Sequence, residues 1–197
     1  DEGGKLKISQ GAELILTGDL EGDIIAEEST FHATGDVTAS TLSVQNNGTV
    51  RADGSISVTD AIEEAHGSIE AGQNISGITI SKADNAQLIL NAAGTITATS
   101  VNATHVAAQT LKASEATVDG GTLSLAGSSG TASEVKNLSL TNGTKADIQG
   151  TLNLTDTESI LAVGSEDDTA GGTTLTAQSG NLQGGMILVD PAWGKES

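Results

Sequence analysis

Cysteine and tyrosine are absent, and phenylalanine, tryptophan, methionine and proline occur once each, at Phe31, Trp193, Met186 and Pro191. Without cysteine there are no disulfides and no thiolate-bound metal, and the redox compartment is left open. A β-sandwich core built around several large rings is excluded, because the 197 residues hold only two aromatics. Basic residues are scarce as well: 8 Lys and Arg stand against 26 Asp and Glu, for a formal charge of −18. Such a chain has little with which to displace the counterions of a phosphate backbone, which argues against nucleic acid and anionic membrane surfaces as partners. No apolar run approaches the roughly 20 residues that a membrane-spanning helix needs. An initiator Met and an export signal are missing from the start, Asp1-Glu2-Gly3-Gly4, so the chain is expected to be an internal segment of a longer parent.

What is present is repetition. Thr122-Leu123-Ser124-Leu125, Asn137-Leu138-Ser139-Leu140 and Thr151-Leu152-Asn153-Leu154 each alternate a small polar residue with Leu, and looser relatives occur at Thr41-Leu42-Ser43-Val44, Ser55-Ile56-Ser57-Val58 and Thr174-Leu175-Thr176-Ala177. Alternation with period two is the mark of a strand with one face buried. Low aromatic content and high net charge also mark disordered chains. Disorder has no periodicity, however, whereas these runs are bounded by Gly, Asn and Asp, as at Asn46-Asn47-Gly48, Asp53-Gly54 and Asn142-Gly143. The same dipeptides turn β-hairpins. Recurrence of like strands at like intervals favours coils stacked on one another instead. The expectation is one all-β domain over residues 1–197, a right-handed parallel β-helix (β-solenoid) of about ten turns. With roughly 20 residues per turn and ~4.8 Å between coils, the rod would be about 45 to 50 Å long.

Candidate chemistry is sparse. Gly18-Asp19-Leu20-Glu21-Gly22-Asp23-Ile24-Ile25, read as one strand, places Asp19, Glu21 and Asp23 on one face. A solvated face is favoured there over a calcium site, since the spacing fits neither an EF-hand nor a glycine- and aspartate-rich nonapeptide repeat. Residues 59–72 interrupt the rhythm, either as a poorly marked strand or as a protruding loop, and carry Glu63, Glu64 and His66. Residues 164–172 read as a second exposed loop with the densest acidic cluster, Glu166, Asp167 and Asp168. Loops on a rigid scaffold carry function more often than the scaffold does, so these six residues are candidate interaction points. Phe31 is expected as a cap or filler in a widened turn, His105 as an outward, solvated residue, and Pro191 where strand pairing pauses after Met186-Ile187-Leu188-Val189. The triplets beginning at Asn47, Asn74, Asn102, Asn137, Asn142 and Asn153 match the acceptor pattern for N-glycosylation at the rate chance supplies in such a composition.

The Thr122-Leu123-Ser124-Leu125 unit, with corners such as Asn142-Gly143 and a composition rich in Gly, Thr, Ser, Asn and Ala, resembles the passenger region of bacterial autotransporter adhesins. The likeness is one of texture over nearly the whole chain. It implies a cell-surface or secreted rod, anchored to the outer membrane through a part outside this chain, and a role in adhesion, autoaggregation, biofilm formation or virulence. The implied partners are a like rod or a host surface protein or glycan, with no catalytic residue, no cofactor and no metal. Two other readings compete. β-Helices also carry polysaccharide-degrading enzymes, whose grooves are rich in aromatic sugar platforms, whereas this chain has two aromatics in total. Residues 18–24 are also similar to turns of bactofilins, filament-forming scaffolds, a likeness that fades beyond about residue 58.

Overall fold

A computed structural model describes residues 4–128, 130–164 and 172–189, with the side chains of Glu63 and Glu64 outside the described set. All of its regular structure is strand, every pairing is parallel, and the strands form a β-solenoid of about eight turns. The first coil fixes the plan. Lys5–Ile8, Glu13–Leu16 and Leu20–Glu21 run along three successive faces, and each pairs with the strand one coil later: Leu6 with Ile24, Leu14 with Phe31, Leu20 with Val37. Longer strands pass around corners: Val37–Gln45 serves two faces and Thr95–Ala108 all three. Coil length is uneven, from 15 residues between the paired Thr95 and Thr110 to 29 between Lys145 and Thr174. The turns number about eight where about ten had been expected.

Parallel pairing at fixed register sets like residue over like. On the first face the inward column runs Leu6, Ile24 and Leu42, and then Ile62, Ile80, Val101, Ala116, Leu138 and Leu161. On the second it runs Leu14, Phe31, Val50, Ile69, Leu90, Val106, Leu123 and Ala146. The third face stacks Val37, Ile56, Ile75, Ile96 and Leu111. Nearly all of these side chains are fully buried and join one continuous core. β-Branched and aliphatic chains suit a narrow interior, because their stiff rotamers stack without voids. Phe31 is 0% exposed inside the strand Thr30–Ala33, between Leu14 and Val50. It therefore fills the column and not a turn, as had been expected.

The corner from the second face to the third is closed by a side-chain ladder. Asp19 Oδ1 accepts the Asp36 N–H at 2.8 Å, Asp36 Oδ1 accepts the Ser55 N–H at 2.7 Å, and Asn74 Oδ1 accepts the Thr95 N–H at 2.8 Å. Each side chain thus satisfies a backbone donor in the coil above, which is what a corner outside the strand ladder requires. Glycine precedes the donor in all three cases. A Cβ at Gly35, Gly54 or Gly94 would lie 2.0, 2.0 and 2.5 Å from the accepting oxygen. The corner from the first face to the second instead uses left-handed backbone at Asn46 and Asn47, with φ of 50° and 63°. Short Asn side chains tolerate that conformation.

Residues 59–72 do not protrude. They lie in Ile56–Ala65 and Gly67–Ala71, with Ile62, Ala65, Ile69 and Ala71 buried. The broken rhythm comes from a register shift, where Ile80 pairs with Ile62 but Lys82 with Ala65. One extra residue in the earlier strand moves the following polar residues out of phase, as a β-bulge does.

The corner ladder predicts that Gly54→Ala displaces the Asp36 carboxylate and leaves the Ser55 amide unpaired, at a cost of about 1–3 kcal/mol. Urea unfolding should show a lower midpoint with an unchanged slope. Gly180→Ala is the control, since its Cβ would meet nothing closer than the Leu152 carbonyl at 3.8 Å. An equal loss in both variants would contradict the ladder.

Candidate functional site

The inward columns are apolar throughout most of the rod, so chemistry is confined to the outward positions and corners. The acidic stretch at residues 18–25 is not one strand. It bends at Gly22 (φ 150°) from the third face, Leu20–Glu21, to the first, Asp23–Glu27. Its carboxylates therefore do not share a face. Asp19 is a rung of the corner ladder, and Asp23 Oδ1 accepts the N–H groups of Ser40 at 3.1 Å and Thr41 at 2.8 Å. These bonds, chiefly that of Thr41, hold the Asp23 carboxyl below its usual value. Backbone amides of the next coil thus do the work that a cation was considered for.

Of the six expected interaction residues, Glu63 and Glu64 fall in the strand Ile56–Ala65 and His66 at the corner after it. His66 is half-buried, its N–H bonded to the Val44 carbonyl at 2.8 Å and its carbonyl accepting from the Asn47 N–H at 3.0 Å. Its backbone is a rung of the coil and not the tip of a loop. Glu166, Asp167 and Asp168 lie outside the described residues, as does Pro191. His105 is on the outer side of the second face, half-buried, with Nδ1 3.1 Å from Thr122 Oγ1.

The structure brings together a different set. The strands Thr30–Ala33, Gly48–Ala52, Gly67–Ala71 and Leu88–Ala92 stack on the second face, and their register aligns His32, Arg51, Glu70 and Asn91 as outward neighbours in four successive coils. Asp53, at the adjoining corner, places Oδ1 2.9 Å from His32 Nε2 and 3.5 Å from Arg51 Nη2. The His32 hydrogen bond, with Arg51 beside it, holds the Asp53 carboxyl below its usual range. Glu70 Oε1 accepts from Ser68 Oγ at 3.0 Å. Arg51 is the only arginine of the chain. Above Arg51, Asp53, Glu70 and Asn91 lies an open groove of about 360 Å³, lined also by Ala52, Ala71, Gly72 and Ala93. Sequence inspection missed it because its members are 19 to 21 residues apart, and only the coil register makes them neighbours. The signal was the shared position of His32, Arg51 and Glu70 within their strands.

A second cluster lies between the coils of the first face. Lys82 Nζ reaches Asp119 Oδ2 at 3.0 Å, with the lysine side chain only 13% exposed. Asp119 also accepts from Asn142 Nδ2 and from Thr141 Oγ1 at 3.0 Å. The Asn142 bond leads in holding the Asp119 carboxyl below its usual value, against the opposing effect of burial. The pair ties together coils two turns apart, and its role is structural. Among the described residues, no group of three or more His, Asp or Glu is placed to hold a metal ion. No protein-family model, curated protein or solved structure matches the chain.

Asp23, Asp53, Asp119 and Asp156 all have depressed carboxyl pKa values in the fold. A depressed folded value means that each group stabilises the fold above the unfolded value of about 3.9, and that this contribution fades as pH falls through the folded value. The urea midpoint should therefore drop as pH is lowered from about 4 toward 2. Asp119→Asn should lose about 1–3 kcal/mol at pH 7, because Lys82 is left buried without its counter-charge, and should show a shallower acid response. Equal acid sensitivity in the variant and the parent would contradict the assignment.

Proposed function

We propose that this chain is the rod of a bacterial cell-surface adhesin, a rigid scaffold that presents its outward faces to a like rod or to a host surface. The observation that supports this most directly is the division of labour across each strand. Inward positions are spent on the apolar columns, and outward positions form ladders of small polar residues. Ser76 Oγ donates to Ser57 Oγ at 3.2 Å, Thr95 and Thr110 share a hydrogen bond of 2.8 Å, and Thr151 and Ser179 share another of 2.8 Å. Short hydroxyl side chains that bond along the axis leave a flat surface with little rotamer entropy left to lose, which favours extended, weak, repeated contacts. Many such contacts between two surfaces combine into strong attachment.

A filament subunit is a second reading, favoured by the apolar residues exposed at the two ends of the stack. Leu14 and Ile15 stand in the first coil, and Met186, Ile187, Leu188 and Val189 in the last strand. Stacking one rod on another would cover Leu14, Ile187 and Val189, which continue the inward columns. Adhesion is tested by displaying the chain on a non-adherent bacterium. Settling of the cells as aggregates, or their retention on host matrix, is the expected result. Cells that stay dispersed and wash off every surface would contradict it, and long unbranched polymers of the purified chain under the electron microscope would favour the filament.

A further inference from the structure

The groove on the second face has a chemistry of its own. Along the rod axis it offers Arg51, then Glu70, then Asn91, in coils ~4.8 Å apart, with Asp53 at its edge. Donors and acceptors therefore alternate at about the length of one pyranose ring. Its floor is backbone at Ala52, Ala71 and Gly72, where both alanine side chains turn into the core, so a flat ligand can lie close to the main chain. Gly72 is required there, since a Cβ would sit 2.1 Å from the Asp53 carbonyl.

We propose that this groove binds a neutral linear polysaccharide laid parallel to the rod axis, about one sugar per coil over three coils. The proposal rests on the adhesive reading above and names the kind of surface the rod would grip. Other ligand classes fit worse. An extended peptide has no strand edge to join, because Gly48–Ala52 and Gly67–Ala71 are paired on both sides. An acidic glycan meets Asp53, Glu70 and a formal charge of −18. A cationic ligand meets the Arg51 guanidinium at the centre of the groove. A neutral polyol uses both signs at once. The guanidinium has five N–H donors, of which the contact with Asp53 occupies few, and the Asn91 amide can donate and accept. The Asp53 and Glu70 carboxylates accept from sugar hydroxyls. With no aromatic platform, each groove should bind weakly, with Kd on the order of 1 mM, and many rods together would supply strength.

The test is titration of the purified chain, followed by amide NMR shifts, with hexasaccharides of β-1,4-glucose, β-1,3-glucose, α-1,4-glucose, β-1,4-N-acetylglucosamine and, as the acidic probe, α-1,4-galacturonate. At least one neutral hexamer should bind about tenfold tighter than the galacturonate hexamer and shift residues 49–53, 68–72 and 89–93. Arg51→Ala and Glu70→Gln should each weaken that binding at least about fivefold with unchanged melting temperatures, and Asp147→Asn, farther along the same face, should leave it unaltered. No neutral hexamer binding at about 10 mM, preference for galacturonate, or binding indifferent to both groove variants would overturn the proposal. If displayed rods still attach cells while no neutral hexamer binds, the groove proposal fails and the adhesive reading survives it.

Discussion

Everything in this rod depends on the parallel hydrogen bonding of each coil to the next along the axis. Once Leu6 is registered on Ile24, or Leu14 on Phe31, the chain can deviate only by changing the length of a corner. Inward side chains are then obliged to match their counterparts one coil away, and small aliphatic residues are the ones that do so repeatedly. The near absence of aromatics follows from this, because an interior one coil wide has little room for a ring. Phe31, in the second coil, is tolerated next to the half-exposed Leu14 of the less crowded first coil.

The same constraint governs charge. An acidic chain that stacks its coils ~4.8 Å apart would bring carboxylates close together if they lay at equivalent outward positions. Many are instead built into corners or paired across coils. Asp19, Asp23 and Asp36 accept backbone N–H groups of the following coil, and Lys7, Lys112 and Lys136 meet Glu27, Glu134 and Asp156. The ion pairs are mostly exposed and contribute little. The carboxylate–amide rungs matter more, because they close corners that the strand ladder leaves open.

The strands themselves were legible in sequence wherever alternation was strict, as at Thr122-Leu123-Ser124-Leu125, and so were the corners marked by Asn46-Asn47-Gly48 and Asn142-Gly143. Parallel stacking followed from their recurrence. Three things were not legible. The bulge opposite Lys82 hid the strand through residues 59–65, since one inserted residue breaks period two without breaking the strand. Gly22 sits in a stretch that reads as continuous alternation, so the corner there was taken for strand. The cluster of His32, Arg51, Asp53 and Glu70 depends on coil register, which local patterning does not specify.

A stack of this kind should have stability that is shared between neighbours and weakest where one neighbour is missing. The most direct measurement is native-state hydrogen exchange, read by mass spectrometry on peptides along the chain. The account predicts the strongest protection in the strands from residue 37 to residue 125, which are paired above and below, and progressively weaker protection in residues 5–21 and 174–189. Uniform protection along the chain, or faster exchange in the central coils than in the outer ones, would contradict a core held together by coil-on-coil stacking.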